Sequence, residues 1–514
     1  MERLIDQDPT MQNIFNTFKA HYLFALVWLV LLISGLLTYT QYGISYDECA
    51  QREIGYAFNN YVFRNDTTFY HFNDRDHGGI FEMALVGIEK NTQTRETRNI
   101  FLQRHLISHL FFLVSLIFGY LLFLNLFKNK TIAVVTMLAL ALHPRLYTHS
   151  FFNTKDMPFM ALSIVALYFC FQVLKNNKLS AYIALGAVCG LASSIRLLGI
   201  IFPLLVIVFI GLKMVLEKDL KPIKGVLIFM VFYLLFFYFC FPTLWPHPIK
   251  IFLEMYQSFA LFRWDASVLL NGEMIKATEL PWYYLPEWMA ITTPIMLLLV
   301  GVIGIVIYLK NCFTKVDALY EKLFLGFSLS LLVLPVLMVI IKHSVVYDDW
   351  RHVYFIYPGF VVFIGYTLLR IKPVKFSHVL ALLITIELLY TQIRLFPHQY
   401  VYFNAFVPKH DEYLRKNFEF DYWGVSNHEA IEQLLKYDHS DTITVQYHSV
   451  IFNNWLLLTE DQQKRIRVID AEQHPTYFIT NYRLFPGGFP QYELIYSKKV
   501  ECSSIHSIFK IPYK

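Results

Sequence analysis

The sequence predicts a polytopic α-helical membrane protein with about eleven transmembrane helices and a small C-terminal α/β domain outside the cytoplasm. Three observations predict it. Of 514 residues, 56% are hydrophobic and 16% charged, with a positive mean hydropathy, a balance that soluble globular chains do not have. Apolar runs long enough to cross a hydrocarbon core of roughly 30 Å recur about eleven times. After about Phe396 the composition changes abruptly to that of a soluble domain.

The apolar runs fall near 21–42, 101–127, 131–147, 157–174, 179–196, 199–216, 223–243, 287–309, 323–342, 352–370 and 376–396. The first lacks a small-residue cleavage site and is longer than a signal peptide's apolar core, so it is expected to stay as a span. The pair around Arg196 stands unusually close. Every second connection is basic: the lysines at 128 and 130, at 175 and 178, between 213 and 224 and between 310 and 322, then Arg370, Lys372 and Lys375, all share one side if there are eleven spans. Short basic loops are retained in the cytoplasm. The N-terminus is therefore expected inside and the C-terminus outside, in a cell inner (plasma) membrane.

The six cysteines are scattered and several lie inside spans, which suits small apolar residues rather than a disulfide or zinc framework. No metal site can be read from them. The formal charge of +5 is accounted for by the cytoplasmic loops and gives no reason to invoke nucleic acid.

Residues 1–396 are read as the transmembrane domain, with two large extra-cytoplasmic loops at 41–99 and 244–286, and residues 397–514 as the extra-cytoplasmic tail. In the tail, "TITVQYH", "RIRVID", "TYFITNYR" and "YELIYSKKV" read as strands and "HEAIEQLLKY" as a helix.

The informative charges stand at span ends on the extra-cytoplasmic side. "ISYDECAQ" puts Asp47 beside Glu48 just after the first span; "HPRLYTHSFFNTKDMPFM" gathers His143, Arg145, His149, Lys155 and Asp156; "SSIRLLG" holds Arg196; "KHSVVYDDWRH" holds Asp348, Arg351 and His352. Any one of these could be an interfacial anchor. Together they suit chemistry on an anionic lipid headgroup: cations bind a phosphate and stabilise the charge it gains as it leaves, and an acid accepts a proton from an incoming hydroxyl. The aromatics of "PWYYLPEW" at 281–288 would pack on sugar faces or a lipid chain, or form an interfacial belt.

At "YDE", "HPRLYTHSFFNTKDMPF", "LPWYYLPEWMAITTP" and "DDWRHVYFIYP" the sequence resembles the GT-C glycosyltransferases of the protein O-mannosyltransferase and aminoarabinose-transferase group. "HQYVYFNAF" and "DYWG" at 421–424 resemble a bacterial branch with a short extra-cytoplasmic tail. The resemblance covers roughly 20–400 and implies a GT-C fold. It also implies transfer of a hexosyl or pentosyl group, with inversion, from a polyprenyl-phosphate donor in the membrane to an extra-cytoplasmic glycolipid, glycan or protein. It places Asp47 as catalytic base, with Glu48 orienting a neighbouring base or capping its helix. Lys155, Arg145 and Arg196 would meet the donor phosphate. Asp156 would orient Lys155 or a sugar hydroxyl, or cap the fourth span, and the remaining histidines, Asp348 and Arg351 would support. The tail departs from the β-trefoil of the eukaryotic mannosyltransferases, which leaves the acceptor open. No cofactor is certain; paired carboxylates at a phosphate site could recruit a divalent cation. A secondary transporter using the charges as a substrate or proton path is the alternative, although transporters place such charges near the bilayer midplane in repeated halves. A membrane receptor with a sensor tail would leave the loop chemistry unused.

Overall fold

The computed structural model describes residues 9–260, 264, 266–446 and 451–512. Among them, eight helices are long and apolar enough to cross a membrane: His21–Gln41, Thr97–Phe127, Asp156–Asn176, Leu197–Glu217, Pro222–Phe239, Leu319–Lys342, Arg351–Arg370 and Val374–Leu395. Two more crossings are broken. Lys130–Ala141 and Pro144–Phe152 meet at 60°, and Tyr284–Thr292 and Ile295–Asn311 at 120°. Each break sits at a proline: the residue before it, His143 or Thr293, is extended at ψ 121° or 133°, as the proline ring demands.

By length and composition the spans thus number up to ten rather than the eleven expected. The remaining apolar helix, Leu179–Ile195, has 17 residues and stops where Arg196 turns extended at φ −138° and ψ 124°. Arg196 carries a charge that must reach a partner outside hydrocarbon, and the helix ends to let it do so.

That short helix packs closely on Pro222–Phe239. Gly186 and Gly190 stand four residues apart on one face, and a Cβ would lie 2.5 Å from the Phe229 carbonyl at the first and 2.6 Å from the Tyr233 carbonyl at the second. Backbones approach this closely only over small residues.

The loop at 41–99, expected outside the cytoplasm, holds two helices, Glu48–Arg64 and Ile80–Thr92. The loop at 244–286 contains helix Pro248–Ala260 and a hairpin of β1 (Ser267–Leu270) and β2 (Glu273–Lys276). The tail forms a five-stranded sheet in the order β4-β3-β5-β7-β6, from β3 (Ile443–Gln446), β4 (Ile466–Ile469), β5 (Tyr477–Thr480), β6 (Glu493–Val500) and β7 (Ser503–Lys510). β3 runs parallel to β4 and β5, and β7 antiparallel to β5 and β6. Helix Asn427–Tyr437 buries Ala430, Ile431 and Leu434 against this sheet, the spacing of one helical face. β7 was not expected. Its serines and His506 are buried with its apolar residues, so the strand shows no polar–apolar alternation.

Packing divides the tail unevenly. Tyr400, Phe403, Phe418, Tyr422 and Val425, with Val500 of β6 and Ile505 of β7, belong to the same apolar core as the spans, whereas helix Asn427–Tyr437 and the rest of the sheet pack apart from it. The join is polar and reciprocal: the Ile44 N–H donates to Asn454 Oδ1 at 2.9 Å, and Asn454 Nδ2 donates to the carbonyls of Ile44 and Gly424 at 3.0 Å each. The tail therefore holds the segment that carries Asp47.

Replacing Gly190 by Leu forces overpacking worth about 1–3 kcal/mol and should lower the melting temperature in detergent. Gly211→Leu, at a position with nothing within 4 Å of a Cβ, should leave it unchanged. Equal effects of the two substitutions would contradict the close approach.

Candidate active site at one end of the spans

The adjacent acids at the end of the first span separate. Glu48 opens helix Glu48–Arg64 and is buried; its Oε2 accepts from the Ser45 N–H at 2.6 Å and its Oε1 from His105 Nε2 at 2.8 Å. It closes the helix start rather than facing solvent, as first-turn acids do. The Asp47 side chain is 32% exposed, and Arg351 Nη1, 3.7 Å away, is its ion-pair partner. A contact that long leaves the carboxylate oxygens open to a further donor.

Lys155 stands at the turn between Pro144–Phe152 and Asp156–Asn176. Asn153 makes that turn: its Oδ1 accepts from the N–H groups of Lys155 at 3.3 Å and Asp156 at 2.8 Å. With the helix start capped by Asn153, the Asp156 carboxylate is released for Arg196 and for Arg351 Nη1, 3.3 Å away. The first loop clamps the turn from the other side, where Glu82 accepts from Thr154 Oγ1 and from Arg104, and Arg104 also donates to Glu89 at 3.0 Å. Gly78 is needed here, because a Cβ would lie 2.0 Å from the Ser194 carbonyl, just before Arg196.

Asp348 and Asp349 adopt the left-handed region in succession, at φ 57° and 62°, which is costly for non-glycine residues and persists where the surroundings enforce it. The turn sends the two carboxylates apart. Asp348 accepts from Arg351 Nη2 at 3.0 Å, Arg483 Nη2 at 2.7 Å and Trp423 Nε1 at 3.1 Å. Asp349 accepts from Arg145 Nη1 at 2.9 Å, Tyr354 at 3.0 Å and Tyr422 at 2.8 Å; burial raises this carboxyl despite Arg145.

One cluster thus gathers Asp47, Lys155, Asp156, Arg196, Asp348 and Arg351, with His352 against the Tyr347 ring at 4.8 Å. Arg145 is not part of it. The expected phosphate contact is not open to Arg145, which is fully buried, donates to the Tyr402 carbonyl as well as to Asp349, and lies 5.3 Å from the Trp288 ring and 5.0 Å from that of Phe403. His143 is likewise buried, edge-on to Trp350 and Tyr357, and His149 is enclosed between Asn153 and Tyr422. These three hold the floor together.

The arginines of the cluster all have carboxylate partners. Lys155 is the exception: half-buried, its ammonium makes no hydrogen bond or ion pair with any described residue. Burial, then Arg196, pushes it down to about 7. The same two cations face His77 of the first loop; Lys155 first, then burial and Arg196, push that imidazole well below its ordinary value. An uncompensated cation beside a half-exposed acid is a place for an anion. Among the described residues no group of three or more His, Cys, Asp or Glu side chains is placed to hold a metal ion.

Several site residues were not anticipated: Arg483, Trp423, Tyr422, Tyr347, His77 and the Glu82–Arg104 clamp. Trp423 lies in "DYWG", so its motif was visible. Arg483 ends a predicted strand and carries no local signal; topology alone brings it to Asp348.

Residues 100–245 match the family model of dolichyl-phosphate-mannose-protein mannosyltransferases. The chain resembles the GT-C group in this match and in the motifs quoted above. No curated protein sequence matches it. Among solved structures, ArnT from Cupriavidus metallidurans bound to undecaprenyl phosphate is similar over 96% of this chain and 98% of its own, at 12% identity and a TM-score of 0.49. The Archaeoglobus fulgidus oligosaccharyltransferase tethered with an acceptor peptide is similar over 91% of this chain and 70% of its own, at 12% identity and a TM-score of 0.49.

If Lys155 holds an anion, the bound form is the ammonium. A lipid phosphodiester keeps one charge across the neutral range, so its affinity should fall as pH rises through about 7, by up to about tenfold per pH unit. Lys155→Arg keeps its charge and should flatten the profile; a profile just as steep in that variant would contradict the assignment.

Proposed function

We propose that the protein is an integral-membrane glycosyltransferase that moves a sugar from a polyprenyl-phosphate carrier to an extra-cytoplasmic acceptor with inversion at the anomeric carbon. The observation that carries this reading is the pairing pattern: every arginine in the cluster is neutralised, while one lysine and one half-exposed aspartate beside it are left for substrates. The family match over residues 100–245 supports the same chemistry.

In this reading the donor phosphate lies against Lys155 and Arg196. Asp47 accepts the proton of the acceptor hydroxyl as its oxygen forms the new bond to the anomeric carbon. The bond from that carbon to the phosphate oxygen breaks on the opposite face, and the leaving phosphate keeps the electron pair. Its added charge is what Lys155 and Arg196 stabilise most, which favours the transition state over the bound donor. Asp156 positions Arg196 and Arg351, and Asp348 fixes Arg351 from its other edge. The carrier chain lies in the bilayer, with the N-terminus cytoplasmic and the tail outside. The transporter alternative fits less well, because the charges gather at one end of the spans and the tail closes over them.

Asp47→Asn keeps the volume and removes the basicity. It should fold and bind the lipid-linked donor but lose transfer by roughly 10²–10⁴, the usual worth of a general base, while Glu48→Gln loses less. Lys155→Ala should weaken donor use far more than Lys221→Ala, which removes an exposed lysine of a loop outside the cluster. Transfer at the parental rate in Asp47→Asn, read with radiolabelled lipid-linked sugar from the native membrane, would overturn the reading.

A further inference from the structure

Helix Pro248–Ala260, in the loop at 244–286, has two apolar sides and one polar side. At about 100° per residue, Ile251, Phe252 and Met255 share the first, Ile249, Leu253 and Tyr256 the second, and Lys250, Glu254 and Gln257 the third. The first side is packed: Met255 is buried, and with Ile251 and Phe252 it joins a cluster that includes Phe58, Phe237, Phe241 and Leu244. The third belongs in water and carries a Lys250–Glu254 pair one turn apart at 3.9 Å. The second stands open, with Ile249 78%, Leu253 53% and Tyr256 50% exposed. An open apolar side of this kind marks an interaction surface.

The neighbours of the helix set its depth. Just before it, Trp245 Nε1 donates to the Tyr238 carbonyl at 2.9 Å and the Tyr238 hydroxyl donates to the Trp245 carbonyl at 3.3 Å, which fixes both aromatics at the end of the span Pro222–Phe239. Trp and Tyr prefer that level of a bilayer. Further along, Lys342, the last residue of the span Leu319–Lys342, donates to the Tyr256 hydroxyl at 3.2 Å, and its ammonium lies 5.6 Å from that ring. A lysine that closes a span extends its charge to the interface. The helix is thus tied to the ends of two spans, where Phe239 and Ile341 are themselves exposed to the lipid around them. A second copy of the chain would need far more than three side chains, because stable interfaces bury on the order of 800 Å² per partner. The bilayer already surrounds the spans and covers such a side directly, as it does for helices that lie in its surface with their apolar side at the headgroup–acyl boundary.

We propose that Pro248–Ala260 is an interfacial helix, with Ile249, Leu253 and Tyr256 seated in the leaflet at the cluster's end of the spans and Lys250, Glu254 and Gln257 turned to water. Leu197, next to Arg196, packs on the same apolar cluster as Ile251 and Phe252. The bilayer therefore holds this loop in place beside the Arg196 turn. The anchor does not rest on the glycosyltransferase reading, since it follows from the sides of the helix and the span ends that hold it.

The test uses the full-length protein in nanodiscs of phosphatidylethanolamine and phosphatidylglycerol. A nitroxide carried on p-acetylphenylalanine replaces Ile249, Lys250, Leu253 or Gln257, one at a time, and collisions are read with oxygen, which concentrates in the bilayer, and with a water-soluble nickel chelate. All four positions are exposed, so the label leaves the packed side of the helix alone. The oxygen-to-nickel ratio should be several-fold higher at 249 and 253 than at 250 and 257. Equal ratios at all four positions, with nickel reaching each, would place the open side in water and overturn the proposal. Poor access of both reagents at 253, with spectral broadening that dilution by unlabelled protein removes, would place a second copy there and overturn it as well. The expected pattern in a protein that transfers no lipid-linked sugar would uphold the anchor and count only against the transferase reading.

Discussion

The grip of Asp156 on two arginines is the interaction on which the rest of this structure depends. Arg196 ends one helix and Arg351 opens another, and both meet one carboxylate at the start of a third. A buried charge with its partner removed costs several kcal/mol, about 3–5 for a broken buried pair. Three helices that each end in a charge are therefore held in one arrangement. Asp348 repeats the device one step further out, between Arg351 and the tail's Arg483. What these pairs leave unpaired is then decided as well, namely the Lys155 ammonium and the open side of Asp47.

The same constraint explains what could and could not be read from the sequence. Spans were legible because apolar length is a one-dimensional signal, and each expected run corresponds to a helix or a broken helix. The short helix ending at Arg196, expected as an eleventh span, has 17 residues, because a charge, not the apolar run, sets its length. In the tail, β3 to β6 announce themselves by β-branched and aromatic residues; β7 does not, because buried serines replace its alternation. The candidate charges were legible as a set, but their division into floor and site was not. Arg145 and Arg196 look equally suited to a phosphate in sequence, and only the position of Asp349 shows that the first is sealed away.

The tail was read as a small α/β domain of its own. Its first part shares the core of the spans, its Asn454 holds the segment before Asp47, and its Arg483 completes the line of pairs. Residues far apart in sequence, such as 348 and 483, can be joined only by topology, and no local pattern marks such a pair. Cover and site are built from one piece here.

The central claim is that one unpaired lysine, among charges otherwise neutralised, receives the carrier phosphate. Its most direct test is a cryo-EM structure of the protein in nanodiscs with undecaprenyl phosphate. The account predicts phosphate density within roughly 2.7–3.2 Å of Lys155 Nζ, on the side facing Asp47 and next to Arg196, with Arg145 still closed against Asp349. Phosphate density elsewhere, with the Lys155 ammonium facing empty solvent, would contradict it.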